Sequence, residues 1–196
     1  MRVIGTVGLA GSGKGELANV AREAGVPVVT MGDVVRAECR SRGLDPADHH
    51  GEVARALREE DGPLAIAERS FPMVEDRLAD HETVLVDGLR SGDEADRFEE
   101  RFGDDFVLVA VTAPFDLREE RIADRGRDAG ADEGGEGLAA RDERELGFGM
   151  GEVIEHADVT IENDGTLEAF RERARAVLAG GTADAPDAAE DAEEAR

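Results

Sequence analysis

Residues 8–16 read GLAGSGKGE. Gly8 and Gly13 enclose four residues and are followed by Lys14, the spacing of a loop that wraps phosphate. In such a loop successive backbone N–H groups point at the anion, and the lysine reaches the β- and γ-phosphates of a nucleoside triphosphate. Gly8, Gly11 and Gly13 let the main chain close around phosphate without Cβ clashes. The whole run Gly8, Leu9, Ala10, Gly11, Ser12, Gly13, Lys14, Gly15 and Glu16 is therefore the expected nucleotide-binding segment. Lys14 is also the only lysine in the chain, all other basic residues being arginine. Gly15 stands where the usual pattern has a Ser or Thr whose hydroxyl ligates Mg²⁺. Glu16 does not replace that hydroxyl. A carboxylate beside triphosphate is repelled, so Glu16 is expected to point to solvent or to cap the first helical turn.

A loop of this kind requires a strand before it and a helix after it. VIGTVGL (3–9) reads as a buried strand, and Leu17, Val20, Ala21 and Ala24 recur on one face of a helix that Gly25 ends. VPVVT (26–30) is a second strand, followed by a helix that a capping Asp33 starts and Gly43 ends. Residues 52–79 are helical with a break at Gly62-Pro63. TVLVDGL (83–89), FVLVAVT (106–112) and DVTIEN (158–163) are further strands. Ser91 and Glu94 predict a capping box, Pro114 opens the next helix, and Thr166 is a candidate N-cap. Leu167, Phe170, Ala174, Val177 and Leu178 form the core face of the last helix. Non-alternating apolar strands separated by helices predict an α/β fold with about five parallel strands and helices on both faces. Ligands on such a sheet bind at the carboxyl ends of the strands. Residues 1–180 are expected to form the domain, and 181–196 a disordered acidic tail.

The chain of 196 residues has 47 Asp+Glu against 23 Lys+Arg, a net charge of −24. That balance argues against nucleic acid and anionic membrane as partners, because both would be repelled. It fits a folded protein whose surface is adapted to high salt, where screening weakens self-repulsion. Cys39 alone gives no disulfide framework, and no apolar run reaches the ~20 residues that span a bilayer. A cytoplasmic location follows as the expectation. His49 and His50 adjoin, His81 and His156 are isolated, and none has metal-ligand spacing.

The loop GSGKG resembles that of adenylate kinases, in which glycine also follows the lysine and Mg²⁺ is held largely through waters. Those enzymes have Thr or Ser at the place of Glu16. MGDVVR resembles their Gly-Asp-x-x-Arg segment, which implies that Arg36 holds the acceptor's phosphate. GVPVVTMGDVVR also resembles dephospho-CoA kinases, which place a catalytic aspartate just after this strand. That implies a general base at Asp33, although helix capping explains the same residue. VLVDGLR resembles the Asp-Gly-x-(Pro)-Arg element of nucleoside monophosphate kinases, one residue shorter. It implies that Asp87 holds the waters around Mg²⁺ and that Arg90 contacts the acceptor phosphate. Arg121 and Arg125, four apart, resemble an arginine pair of which one contacts adenine and the other the phosphates. Arg127 can substitute for either. Arg141 and Arg144 resemble the arginines on the far side of a kinase lid, here about residues 126–145, with the acceptor-binding helices at about 31–80. Pairing with nearby carboxylates would account for the same arginines. HADVTIENDGT resembles the C-terminal strand of dephospho-CoA kinases, with Asn163–Gly165 beside the adenine.

Taken together over residues 2–178, with RDERELGFGMGEVI, the chain resembles an archaeal, haloarchaeal-type family of P-loop kinase-like proteins related to those two enzymes. The resemblance implies transfer of the γ-phosphate of ATP, with Mg²⁺, to a small-molecule acceptor. Dephospho-CoA is the first candidate and a nucleoside monophosphate such as AMP the next. A nucleotide-binding regulator with slow hydrolysis is the alternative that Gly15 and Glu16 favour.

Overall fold

A computed structural model describes residues 1–126, 137–147 and 149–181. Residues 127–136 of the expected lid (including Arg127) and the acidic tail from 182 onward lie outside the described residues, as does the side chain of Arg125.

Five strands form one parallel sheet: β1 (Arg2–Val7), β2 (Val28–Thr30), β3 (Thr83–Asp87), β4 (Phe106–Thr112) and β5 (Val159–Glu162). Their order is β2-β3-β1-β4-β5, with every pairing parallel. The sheet is covered on both sides, which is why its strands read as continuous apolar runs. One face carries Ile4, Leu85, Val109, Val111 and Ile161 against α1 (Lys14–Glu23) and α9 (Leu167–Leu178). The other carries Val3, Val7, Val84, Val86, Leu108 and Ala110. It packs on α2 (Met31–Ser41), α4 (Ala65–Leu78), α5 (Gly92–Phe102) and α8 (Met150–Glu155), with α3 (Pro46–Asp61) lying against α2 and α4. Phe98 anchors this layer, its ring 5.0 Å from that of Phe71 in an edge-on contact. Two more helices, α6 (Phe115–Gly126) and α7 (Leu138–Gly147), follow β4. No helix is long and apolar enough to cross a membrane among the described residues.

Three local expectations differ from the structure. The N-cap of α2 is Thr30, not Asp33. Asp33 is the third helical residue and completes a capping box, its Oδ2 accepting the Thr30 N–H at 2.8 Å while Thr30 Oγ1 accepts the Asp33 N–H at 3.1 Å. At α5, Ser91 Oγ does accept the Glu94 N–H, but Glu94 Oε2 takes the N–H of Arg90 rather than that of Ser91. Leu167, the first residue of α9, is 62% exposed, whereas Phe170, Ala174, Val177 and Leu178 are buried. Thr166 caps α9 as the sequence indicates.

Candidate functional site

The loop lies at the carboxyl end of β1, the central strand, and runs straight into α1. Its glycines are required. Gly13 has φ +119°, and a Cβ there would lie 2.3 Å from Asn163 Nδ2. Gly8 has φ +144°, and its Cβ would lie 2.3 Å from the Val111 carbonyl oxygen. No side chain fits either position, so the concave backbone that they create is available to an anion. Lys14 folds back over this cradle and donates to the carbonyl oxygens of Gly8 and Leu9. Burial lowers its pKa. The carboxylates of Asp87 and Glu145 act against that shift, while Arg141 and Arg90 reinforce it. Residues from β3, from the loop after it and from α7 therefore all act on the one loop lysine.

Asp87 ends β3 and pairs in register with Thr6 of β1 and Thr30 of β2. Thr6 is fully buried, and its hydroxyl donates to Asp87 Oδ1 at 2.8 Å. A hydrogen bond to a charged group contributes about 1.5–3 kcal/mol, enough to hold one carboxylate oxygen fixed at the strand end. Gly15 is exposed, with nothing within 4 Å of a Cβ placed there. Glu16 turns away from the loop. Its Oε1 accepts from Arg171 Nε of α9 at 2.7 Å, and its Oε2 from Asn19 at 3.2 Å. The carboxylate next to the cradle is thus neutralised by a helix on the outer side rather than pointing to solvent alone. Among the described residues, no group of three His, Cys, Asp or Glu side chains has the arrangement of a metal cluster.

Asp33 and Arg36 engage each other. Arg36 Nη2 donates to Asp33 Oδ1 at 2.6 Å and to Thr30 Oγ1 at 2.9 Å. Burial acts to raise the Asp33 pKa, but the hydrogen bonds from Arg36 and Thr30 outweigh it and hold the carboxyl below the usual range. Arg90 is exposed and lines a cleft of about 410 Å³ between α2, α3, α4, the start of α5 and the ends of β2 and β3. Asp87 lies on the wall of this cleft, together with His50, Arg58 and Glu94, none of which the sequence assigned to a binding site. Arg36 is not among its lining residues. Arg141 donates to Glu145 at 3.0 Å within α7, and Arg144 lies on the same helix.

The largest departure concerns Arg118, which the sequence presents as one more arginine on a charged helix. It is 5% exposed, and its guanidinium meets Asp142 of α7 in two parallel bonds of 2.9 and 2.6 Å. It also donates to the carbonyls of Ala10 in the loop at 3.1 Å and of Ala113 at 3.2 Å. One buried side chain therefore ties the phosphate loop, the end of β4 and α7 together. Asn163 acts similarly from the other side. Its Nδ2 donates to the Ser12 carbonyl at 2.7 Å, while Arg121 Nη2 donates to its Oδ1 and to its main-chain oxygen. Arg121 thus stands beside the loop after β5, with its Nη1 sealed from solvent and without a partner. Only the Asn in ENDG hinted at this contact, because its partner is 151 residues away.

A five-stranded parallel sheet with this loop on its central strand defines a nucleotide-binding domain of P-loop kinase type. The signature of an AAA-domain family matches residues 7–138, from the loop to the start of α7. The chain is 58% identical over 182 residues to a UPF0200 protein of Halobacterium salinarum, covering 93% of this chain and 95% of that one. It belongs to the UPF0200 family. Among solved structures, shikimate kinase from Acinetobacter baumannii in complex with shikimate superposes with a TM-score of 0.56 at 18% identity, over 91% of both chains. A gluconokinase from Sinorhizobium meliloti gives 0.53 at 19% identity, over 91% of this chain and 92% of that one. These two likenesses are of fold.

Proposed function

We propose that this protein is an ATP-dependent phosphotransferase that moves the γ-phosphate of ATP to a small nucleotide-like acceptor. Dephospho-CoA is the first candidate and a nucleoside monophosphate such as AMP the second. The observation that carries this reading is the cleft walled by Asp87 and Arg90, both of which act electrostatically on Lys14 of the phosphate loop, and which is large enough for a small molecule. A protein that only bound nucleotide would need no second pocket there. In this reading Gly8–Glu16 cradle the phosphates, and Lys14 stabilises charge that develops on the transferring group. Asp87, oriented by Thr6, holds Mg²⁺ through water. ATP would supply the phosphoryl group, and Mg²⁺ bound with it would supply charge neutralisation. Arg121 and Arg125 serve the nucleotide side, while Arg36, Arg90, Arg141 and Arg144 serve the acceptor. Asp33 is the candidate base, although it must leave Arg36 to act. The helices of about residues 31–80 form the acceptor side, and α7, the described part of the expected lid, carries Arg141 and Arg144. The fold likeness to kinases of small acceptors supports this division.

The test is ADP release in multimolar KCl with ATP and Mg²⁺, with dephospho-CoA, AMP, CMP, UMP, GMP, shikimate and gluconate added singly. Strong stimulation by one compound, abolished in Lys14→Ala, supports a kinase and names its acceptor. Slow release that no acceptor stimulates refutes it. That outcome favours the second reading, a nucleotide-binding regulator with slow hydrolysis, for which the lack of a metal-ligating side chain at Gly15 and the engagement of Glu16 by Arg171 are the specific observations.

A further inference from the structure

Glu94 lies in the first turn of α5 and is 4% exposed. Its Oε2 accepts the N–H of Arg90 at 2.7 Å. Oε1 has no hydrogen-bond partner among the described residues. Of the buried side-chain atoms there, only Ser12 Oγ and Arg121 Nη1 are both unpartnered and sealed from solvent. Oε1 is therefore not sealed, and Glu94 lines the cleft. Helix capping accounts for one of its oxygens and leaves the other unexplained. A buried carboxylate is costly unless paired, and burial pushes the Glu94 carboxyl up from its usual value while Arg58 and Arg90 act against that shift. The same cleft carries both of these guanidiniums, with Met31, Val35 and Ile66 as apolar wall.

We infer that Glu94 is the specificity-determining residue of this cleft: its Oε1 accepts a hydrogen bond from an amino or hydroxyl group of the acceptor, whose anionic group rests on Arg58 and Arg90. The acceptor is thus a small molecule with an anion at one end and an N–H or O–H donor at the other, lying over an apolar wall. A nucleoside monophosphate and a hydroxy acid both have this chemistry. The inference rests on the phosphotransferase reading above.

Two variants separate the sources. In Glu94→Gln the amide oxygen must take the Arg90 N–H, so the NH₂ group replaces Oε1 and an acceptor becomes a donor. Glu94→Ala removes both oxygens. With the acceptor that stimulates ADP release in the panel above, Glu94→Ala raises the acceptor KM at least about tenfold and leaves the KM for ATP within about twofold. If the recognised group is an amine, Glu94→Gln loses as much. If it is a hydroxyl, which can accept from the amide, Glu94→Gln retains most of the affinity. A stimulating acceptor whose KM is unchanged in both variants overturns the inference, makes Glu94 a capping residue only, and leaves the kinase reading standing. A parallel rise in both KM values overturns it as well. No stimulation by any compound overturns the kinase reading and this inference with it.

Discussion

Removing the carboxylate of Asp142 isolates a buried cation. In Asp142→Ala, Arg118 keeps only the carbonyls of Ala10 and Ala113 as acceptors, at 3.1 and 3.2 Å, and loses the two shorter bonds. Both partners are nearly sealed, at 5% and 8% exposure, so water cannot replace the lost oxygens without opening the structure. Breaking a buried pair from one side costs about 3–5 kcal/mol. The two remaining carbonyl contacts place this case near the lower end. For a domain of this size each kcal/mol moves Tm by about 2–4 °C, so a fall of about 6–12 °C is expected. The assay is thermal unfolding followed by circular dichroism in multimolar KCl. Screening weakens exposed pairs such as Arg97–Glu100 and leaves a sealed bidentate pair largely intact, so the loss should persist as salt rises. The double variant Arg118→Met/Asp142→Leu should melt above Asp142→Leu, since it removes the orphaned charge and keeps apolar volume. A melt of Asp142→Ala within about 2 °C of the wild type would refute the reasoning, because it would mean that the pair is open to water.

Three further perturbations test the site. Gly13→Ala puts a Cβ against Asn163 Nδ2 on a backbone that L-residues rarely adopt. Affinity for a fluorescent ATP analogue should fall at least about tenfold, and a change of under about twofold would contradict the cradle. Gly15→Ser meets no neighbour and adds a hydroxyl at the usual metal-ligating position, so nucleotide binding should saturate at lower Mg²⁺. An unchanged Mg²⁺ dependence would place the metal elsewhere. Asp33→Ala removes half of the capping box of α2 and should cost about 1 kcal/mol in denaturant unfolding at about pH 7. Because the native Asp33 carboxyl is held below its ordinary value of 3.8, its contribution is present above that value and lost as pH falls through the lower native one. The gap between variant and wild type should therefore close in acid, and a gap that stays constant would show that the charge is not what stabilises.

The sequence by itself determined the loop, the strands and the parallel sheet. These are local signals: glycine spacing, apolar runs of strand length, and helical faces such as Leu17, Val20 and Ala21, all of which are buried. It also marked Asp87, because a carboxylate at the end of an apolar strand next to such a loop is conspicuous. What it could not decide is which of many arginines and carboxylates meet. In a chain with 47 acidic residues, every arginine has several plausible partners close in sequence. Arg118 passes over its near neighbours and finds Asp142, because the end of β4 and the phosphate loop bring α6 and α7 together. Arg36 does the opposite and closes on Asp33 three residues away. Glu16, which the local charge pattern turned toward solvent or a cap, is instead taken by Arg171, 155 residues distant. The cleft has the same origin. His50, Arg58 and Glu94 carry no shared motif and meet only because four helices, α2 to α5, pack around the ends of β2 and β3. Backbone motifs are encoded by neighbours along the chain. The partner of a buried charge is selected by the desolvation that only the assembled fold imposes.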